Sequence, residues 1–312
     1  MRVPHDGPLA TTLAGLALRN PIIAASGTCG YTGELAQAAN LASLGAITTK
    51  SITALPREGN EPPRMVPTRV GMLNAIGLAN MGLDAFLERE VPRVRSVATR
   101  VFVSVAGHTA SEFVSVARAL DATGEFPAIE LNVSCPNTLT GRTFAADPNA
   151  LHDLCAQVRA QVRSAKLFVK LPPDMADPCA MAEAAIRGGA GALTLCNTMP
   201  AMAIDPCTRR LRLTRGIGGM SGPGIHPLIV RIVREVFTGV ARERGTPIIA
   251  LGGVMHWEDA AEFILAGATG VGIGTVLFAD PRAGQRIVRG LDSWVVAQGC
   301  TSIAQLIGQA QA

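Results

Sequence analysis

Along the chain, short runs of apolar and often β-branched residues alternate with stretches whose apolar positions recur at helical spacing. The runs fall at 21–25 (PIIAA), 46–49 (AITT), 101–105 (VFVSV), 128–131 (AIEL), 167–169 (LFV), 192–195 (ALTL), 247–251 (PIIAL) and 270–273 (GVGI). Continuous apolar runs, unlike alternating ones, suit parallel strands covered on both faces. Helical patterns follow the runs, the clearest over 151–162, 181–187, 228–242 and 257–265, and they serve as the right-handed crossovers that parallel strands need. Eight such units in 312 residues predict a (β/α)8 TIM barrel. The competing fold is an open doubly wound sheet, which carries its glycine-rich phosphate turn after the first strand. Here SGTCGYTG follows the first run and lacks GxGxxG, whereas the strongest glycine-bearing strand ends are the last two, LGG at 251–253 and GIGT at 272–275. The barrel is favoured. Two crossovers, 51–100 and 196–246, are long, irregular and rich in Pro and Gly, and are expected to decorate the C-terminal mouth. No linker, repeat or low-complexity segment divides the chain, so a single domain over 1–312 is expected.

Composition narrows the class. Hydrophobic residues make up 48% and charged residues 17%, which supports a large core and excludes global disorder. So little charge implies a surface partly covered by other protein or by small neutral residues. The balance of 28 Lys plus Arg against 24 Asp plus Glu, with 4% aromatics, argues against a dedicated nucleic-acid binder. Charge-free stretches such as 263–279 are studded with Gly and fall short of the ~20 residues of a membrane helix. The start, MRVPHDGPLATT, lacks the apolar core of a signal peptide. Seven cysteines, at 29, 135, 155, 179, 196, 207 and 300, are scattered and never in CxxC spacing. That pattern suggests a cytoplasmic protein, with no metal site and no cysteine-ligated cluster on this chain.

The candidate chemistry sits at strand ends. Lys50 follows the second run, Asn132 ends the fourth, Lys170 ends the fifth, and Asn197-Thr198 follow the sixth. Any one could be a structural cap. Together they place two lysines at one mouth, where burial needs an anionic or electron-rich partner. Gly252-Gly253 and Gly274-Thr275 end the last two strands, where barrels of this kind bind phosphate through backbone N–H groups. Cys135, in LNVSCPN at 131–137, is either an inert thiol, as Cys155, Cys179 and Cys300 are read, or a base or nucleophile near the lysines. His108 and His226 read as solvated or satisfied, and the arginines of 209–215 as a solvated hairpin rather than a dock for an acidic partner.

LNVSCPN, GMLNAIGL (71–78), TTKSIT around Lys50, FVKLPPD (168–174), NTM (197–199) and GGMSGPGIHP (218–227) together resemble a class 1 dihydroorotate dehydrogenase. The likeness runs from about residue 20 to 281, and PREGNEPPR (56–64) resembles the B subtype, whose catalytic chain works with a separate electron-transfer subunit. The resemblance implies FMN as cofactor, held by Ser26, Lys50, Ser51, Ser104, Asn132, Lys170, Cys196, Gly222, Gly252, Gly253, Gly274 and Thr275. It implies a site for dihydroorotate and orotate made of Lys50, Asn74, Ala75, Ile76, Gly77, Leu78, Asn132, Asn137, Asn197 and Thr198. Cys135 would be the base at C5 of (S)-dihydroorotate, with Lys50 the second catalytic group. A homodimer is expected, joined by a subunit carrying FAD and a 2Fe-2S cluster. Class 2 relatives carry serine in place of the cysteine and an N-terminal extension; here there is Cys135, and about 20 residues precede the first strand. Ser104, Ala79, Met81 and Cys196 depart from the family pattern, which more often has Asn, Gln, Pro and a branched aliphatic there. A related FMN barrel acting on another pyrimidine or an enoate, and a phosphate-binding barrel without redox function, are the alternatives.

Overall fold

A computed structural model of the chain describes residues 7–134 and 144–311. Eight parallel strands close into a barrel: β1 (Ile22–Ala24), β2 (Ala46–Thr48), β3 (Arg100–Val105), β4 (Ala128–Asn132), β5 (Lys166–Leu171), β6 (Ala192–Leu195), β7 (Ile248–Leu251) and β8 (Gly270–Ile273). Each predicted run supplies one strand. The last pairs back on the first, with Gly272 opposite Ile23, and this closing pair rules out the open sheet.

Alternate residues of each strand face the barrel axis. In the lower half these are Ile23, Ala46, Phe102, Ala128, Phe168, Ala192 and Ile249, which pack together with Leu13 and Leu18. The two leucines belong to a hairpin, Thr11–Leu13 with Leu16–Leu18, that turns at Ala14 and Gly15 in left-handed conformation. Arg100, at the start of β3, donates from Nε to the Ala17 carbonyl at 2.8 Å. The hairpin therefore plugs the N-terminal end of the barrel. Its three-residue strands are too short to give a periodic signal, and the sequence did not announce it.

Outside the barrel run α1 (Ala110–Ala122), α2 (Pro148–Gln161), α3 (Pro178–Arg187), α4 (His226–Val236), α5 (Trp257–Ala266) and α6 (Ala283–Ala297). Thr109, Asp147 and Asp177 cap the first three through their side chains, the last two followed by proline in the first turn. The buried residues of α2, Leu151, Leu154, Cys155 and Val158, recur at helical spacing and turn one stripe inward. Two expectations need correction. The first crossover contains only the 3-10 turns Leu35–Gln37 and Leu41–Ser43, because chain is spent at the mouth in turns through Gly27 and Gly30 at positive φ. The helix expected over 228–242 is α-helical to Val236, passes through a π turn at Phe237–Ala241 and ends at Arg242–Arg244. A Cβ on Gly239 in that turn would lie 2.7 Å from Cys179 Sγ, so α3 packs hard against it.

The long crossovers are more ordered than their Pro and Gly content suggested. Met65–Thr68 and Gly71–Asn74 from one, with Met199–Met202 and Ile217–Ser221 from the other, form a four-stranded antiparallel sheet. The arginine-rich stretch lies on an exposed hairpin, Ile204–Asp205 with Arg210–Leu211. Among the described residues no helix is long and apolar enough to cross a membrane.

Candidate active site

Polar side chains begin one layer above the apolar plug. Along β4 the inward positions read Ala128, Glu130, Asn132; along β3 Phe102, Ser104; along β5 Phe168, Lys170; along β6 Ala192, Thr194. Each strand becomes polar toward its C-terminal end. Thr194 Oγ1 donates to Glu130 Oε2 at 2.7 Å, with both residues buried. Above them Ser104 Oγ and Ser51 Oγ are 2.8 Å apart, and the Ser104 amide donates to Thr49 Oγ1 at 3.2 Å. Asn132 Nδ2 donates to Ser51 Oγ at 3.3 Å. Asn197 Nδ2 donates to Asn132 Oδ1 and to Ser134 Oγ, each at 3.1 Å, while its Oδ1 accepts from the Thr198 amide at 2.9 Å. This chain of bonds fixes which edge of each amide is donor and which acceptor. Ser51, Ser104, Asn132, Asn197 and Thr198 thus form one hydrogen-bonded layer.

Above that layer opens a cleft of about 910 Å³, including its mouth. Its walls carry Ser26, Asn74, Ile76, Lys170, Cys196, Asn197, Thr198, Gly222, Gly252, Gly253, Gly274 and Thr275. Lys50, Ser51, Ser104 and Asn132 lie beside or beneath these walls rather than on them. Thr28, Met65, Met72, Ser221, Met255 and Phe278 also line the cleft and were not anticipated. The signal for Met65, Met72 and Ser221 was their place in the two long crossovers, whose sheet borders the mouth.

Asn74 closes the strand Gly71–Asn74, its Nδ2 donating to the Gly219 carbonyl at 3.2 Å. The segment after it, Ala75 to Leu78, is pinned by the PREGNEPPR stretch. Ala75 donates to the Arg64 carbonyl at 2.8 Å, and the Asn60 amide donates to the Ile76 carbonyl at 3.0 Å. Gly77 and Leu78 both have positive φ, and a Cβ on Gly77 would come within 2.7 Å of the Asn60 backbone nitrogen. Glycine is required at 77, and Ala75, Gly77 and Leu78 shape the wall from behind it.

Three glycines crowd together on the opposite side. Gly222, Gly252 and Gly253 have φ of 99°, 158° and 76°. A Cβ on Gly252 would lie 2.6 Å from Ile229 Cγ1, and one on Gly253 would lie 2.9 Å from the Gly222 carbonyl oxygen. Gly274 differs, since a Cβ there would meet only ordinary contacts, the nearest at 3.6 Å to Thr28 Cγ2. Bare backbone facing a cleft is the form a phosphate cradle takes.

The charges complete the picture. Lys170 is 5% exposed, and no ion pair of the described residues includes it. Lys50 is half-buried, its amide donating to the Gly30 carbonyl at 2.8 Å. Burial and then the nearby Arg64 hold its ammonium pKa below the ordinary lysine value, with Glu34 acting in the opposite sense. Burial pushes the Cys29 and Cys155 thiols up to about 12, and that of Cys196 higher as well, so all three are neutral at physiological pH. Cys135 and Asn137 lie outside the described residues. His226 is buried, its Nδ1 lying 2.9 Å from the Gly252 carbonyl oxygen, so it is satisfied as expected. The bare backbone of the glycine turns, the buried Lys170 and the apolar faces of Cys196, Leu251 and Met72 fit a flavin mononucleotide.

Fold and site define a (β/α)8 barrel with bare-backbone glycine turns and a cationic, amide-rich mouth. The family model described as dihydroorotate dehydrogenase matches residues 8–295, and the chain belongs to that family. It is 44% identical over 301 residues to the "Dihydroorotate dehydrogenase B (NAD(+)), catalytic subunit" of Trichlorobacter lovleyi, covering 96% of this chain and 97% of the relative. Proteins of the same name from Geobacter sulfurreducens and Pelobacter propionicus are 43% and 41% identical over the same shares.

Proposed function

We propose that the chain is the catalytic subunit of a B-type dihydroorotate dehydrogenase, oxidising (S)-dihydroorotate to orotate in pyrimidine biosynthesis in the cytoplasm. The observation that carries the reading is Lys170, a buried lysine with no ion pair among the described residues, beside the glycine cradle. Burying an ammonium without an ion-pair partner is costly, and an electron-rich ring bound beside it would offset that cost. When bound, FMN supplies the hydride acceptor for C6 of the substrate.

The residues of the chain do the rest. Gly252, Gly253, Gly274 and Thr275 would hold the phosphate through backbone N–H groups. Ser26, Ser51, Ser104, Asn132, Cys196 and Gly222 would position the ring, and Lys170 would place a fixed positive charge where negative charge develops. Lys50 would face the substrate carboxylate. Asn74, Asn132, Asn137 and Asn197, with Thr198 and the backbone from Ala75 to Leu78, would read the amide edges of the pyrimidine. Cys135 would take the proton from C5; an ordinary thiol, with a pKa of about 8.5, suits that task at mildly alkaline pH.

Cys135→Ser tests the chemistry. Dihydroorotate oxidation should slow by about 10²–10⁴-fold at neutral pH, with the pH profile shifted upward and orotate affinity kept. Near-normal turnover at neutral pH would remove Cys135 as the base. The proposal extends to the assembly: a homodimer joined by a subunit with FAD and a 2Fe-2S cluster. The isolated, FMN-loaded chain should then reduce dyes but not NAD⁺. Robust NADH formation by the chain alone would overturn the B-type reading, and efficient fumarate reduction would move it to the A type.

A further inference from the structure

His226 is buried at the first position of α4 and is not among the residues lining the cleft. Its two nitrogens face two different elements. Nδ1 lies 2.9 Å from the carbonyl oxygen of Gly252, in the loop after β7, and Nε2 lies 3.0 Å from Glu262 Oε2 on α5. The ring packs against Phe263 with centroids 4.6 Å apart. The backbone of the loop is seated on the same residue: a Cβ on Gly253 would come within 2.8 Å of His226 Cβ and 3.1 Å of its Cα.

The carbonyl of Gly252 can only accept, so Nδ1 carries a hydrogen. Nε2, on the other side of the ring, faces the Glu262 carboxylate, so both ring nitrogens are engaged and the ring plane is fixed. With its carbonyl held from behind by His226, the Gly252-Gly253 peptide is fixed in orientation, and the N–H groups available to an anion are fixed with it.

We infer that His226, braced by Glu262, is a positioning residue for the phosphate cradle: it aims the Gly252-Gly253 backbone. This rests on the FMN reading above. Its consequence is selective, because a device acting on the phosphate should matter for FMN and not for riboflavin, which shares the ring and lacks the phosphate.

The experiment titrates the flavin-free full chain with FMN and separately with riboflavin, following quenching of flavin fluorescence, for wild type, His226→Ala, His226→Asn and Glu262→Gln. Wild type should prefer FMN. His226→Ala should lose about fivefold or more in FMN affinity, the scale of one buried hydrogen bond. Its riboflavin affinity should change by less than about twofold. His226→Asn keeps a donor for the Gly252 carbonyl and should recover part of the loss. Glu262→Gln removes a half-exposed carboxylate at the rim and keeps the fold testable if the alanine variant does not fold; it should lose about threefold for FMN alone. Equal losses for both flavins, or an unchanged FMN preference in the variants that fold, would overturn the inference and leave the flavin reading standing. A wild-type chain that binds neither flavin, or binds both equally, would overturn that reading and this inference with it.

Discussion

The two ends of the barrel are built from the same eight strands and behave as different materials. At the N-terminal end the inward positions are Ala46, Ala128, Ala192, Phe102, Phe168 and Ile249, stoppered by Leu13 and Leu18. Two residues further along the same strands stand Thr48, Glu130, Thr194, Ser104 and Lys170; Glu130 is bonded to Thr194, Ser104 to Ser51, and Lys170 faces the cleft. The pleat makes this economical, since a step of two along a strand keeps the side chain on the same face and moves it up by about 6.6 Å. Stability can therefore reside in one layer and chemistry in the next, with little sharing between them.

The sharpest way to break this comparison is on β5, where Phe168 and Lys170 are two residues apart. Phe168 is fully buried and packs edge-on to Phe102, with ring centroids 5.2 Å apart. Phe168→Ala should cost about 3–5 kcal/mol of unfolding free energy, and below the melting transition the remaining folded protein should turn over dihydroorotate at close to the wild-type rate. Lys170→Met should do the reverse. It removes a buried cation at little cost in stability, and should slow dihydroorotate oxidation by about 10²–10³-fold, the scale of one preorganised electrostatic group. Chemical denaturation and stopped-flow kinetics on the two variants read both columns. A Phe168→Ala protein that is stable but slow would show that the layers are not independent.

The legibility of the sequence follows the same division. All eight strands were readable because parallel strands need apolar residues on both faces, and that produces unbroken runs such as PIIAA and PIIAL. The mouth was readable where a polar residue ends such a run, as Asn132 and Lys170 do. Glu130 was missed as part of the polar interior. Read as the middle of AIEL it looks like a tolerated interruption, yet it shares parity with Ala128 and Asn132 on one strand, and that parity was the available signal. The hairpin at the bottom and the four-stranded sheet at the mouth were not legible. Their strands are three to five residues long, and the sheet is joined by pairing across more than a hundred residues of chain, as between Met72 and Ser221. Periodicity within one segment carries no trace of such a partner. His226 was correctly read as a satisfied histidine, but its contact with the Gly252 carbonyl depends on two crossovers meeting.

A middle-sized effect tests the boundary between the layers. Thr194 is the hydroxyl donor to the buried Glu130 carboxyl at 2.7 Å. Thr194→Val keeps the shape and leaves that oxygen without its partner, which should cost about 1–3 kcal/mol. Adding Glu130→Leu should cost less than the sum of the two single changes, because the unsatisfied group is then gone. Additive losses in urea denaturation would mean that the bond contributes nothing and that the polar boundary is only space-filling.

The smallest expected effect lies at the rim and is read through pH. Burial, with Arg64 adding to it, lowers the pKa of Lys50 below 10.5 in the ligand-free protein. The unfolded chain therefore holds this proton to higher pH than the folded one, so keeping Lys50 charged costs stability below its folded pKa. That cost is relieved as pH rises from the folded pKa toward the unfolded one. A bound carboxylate reverses the preference, since it favours the ammonium. Orotate affinity should accordingly be greatest below the folded pKa of Lys50 and fall as pH rises through it, levelling off at a total loss of about tenfold, the scale of one charge-assisted hydrogen bond. Lys50→Gln should bind orotate about tenfold more weakly at neutral pH and show no such fall. Measuring orotate dissociation constants for both proteins between neutral pH and the ordinary lysine pKa separates the contributions, because changes in orotate itself would appear in both curves. Parallel curves would show that Lys50 does not meet the carboxylate, and would make it a strand-end residue like those at the apolar end of the barrel.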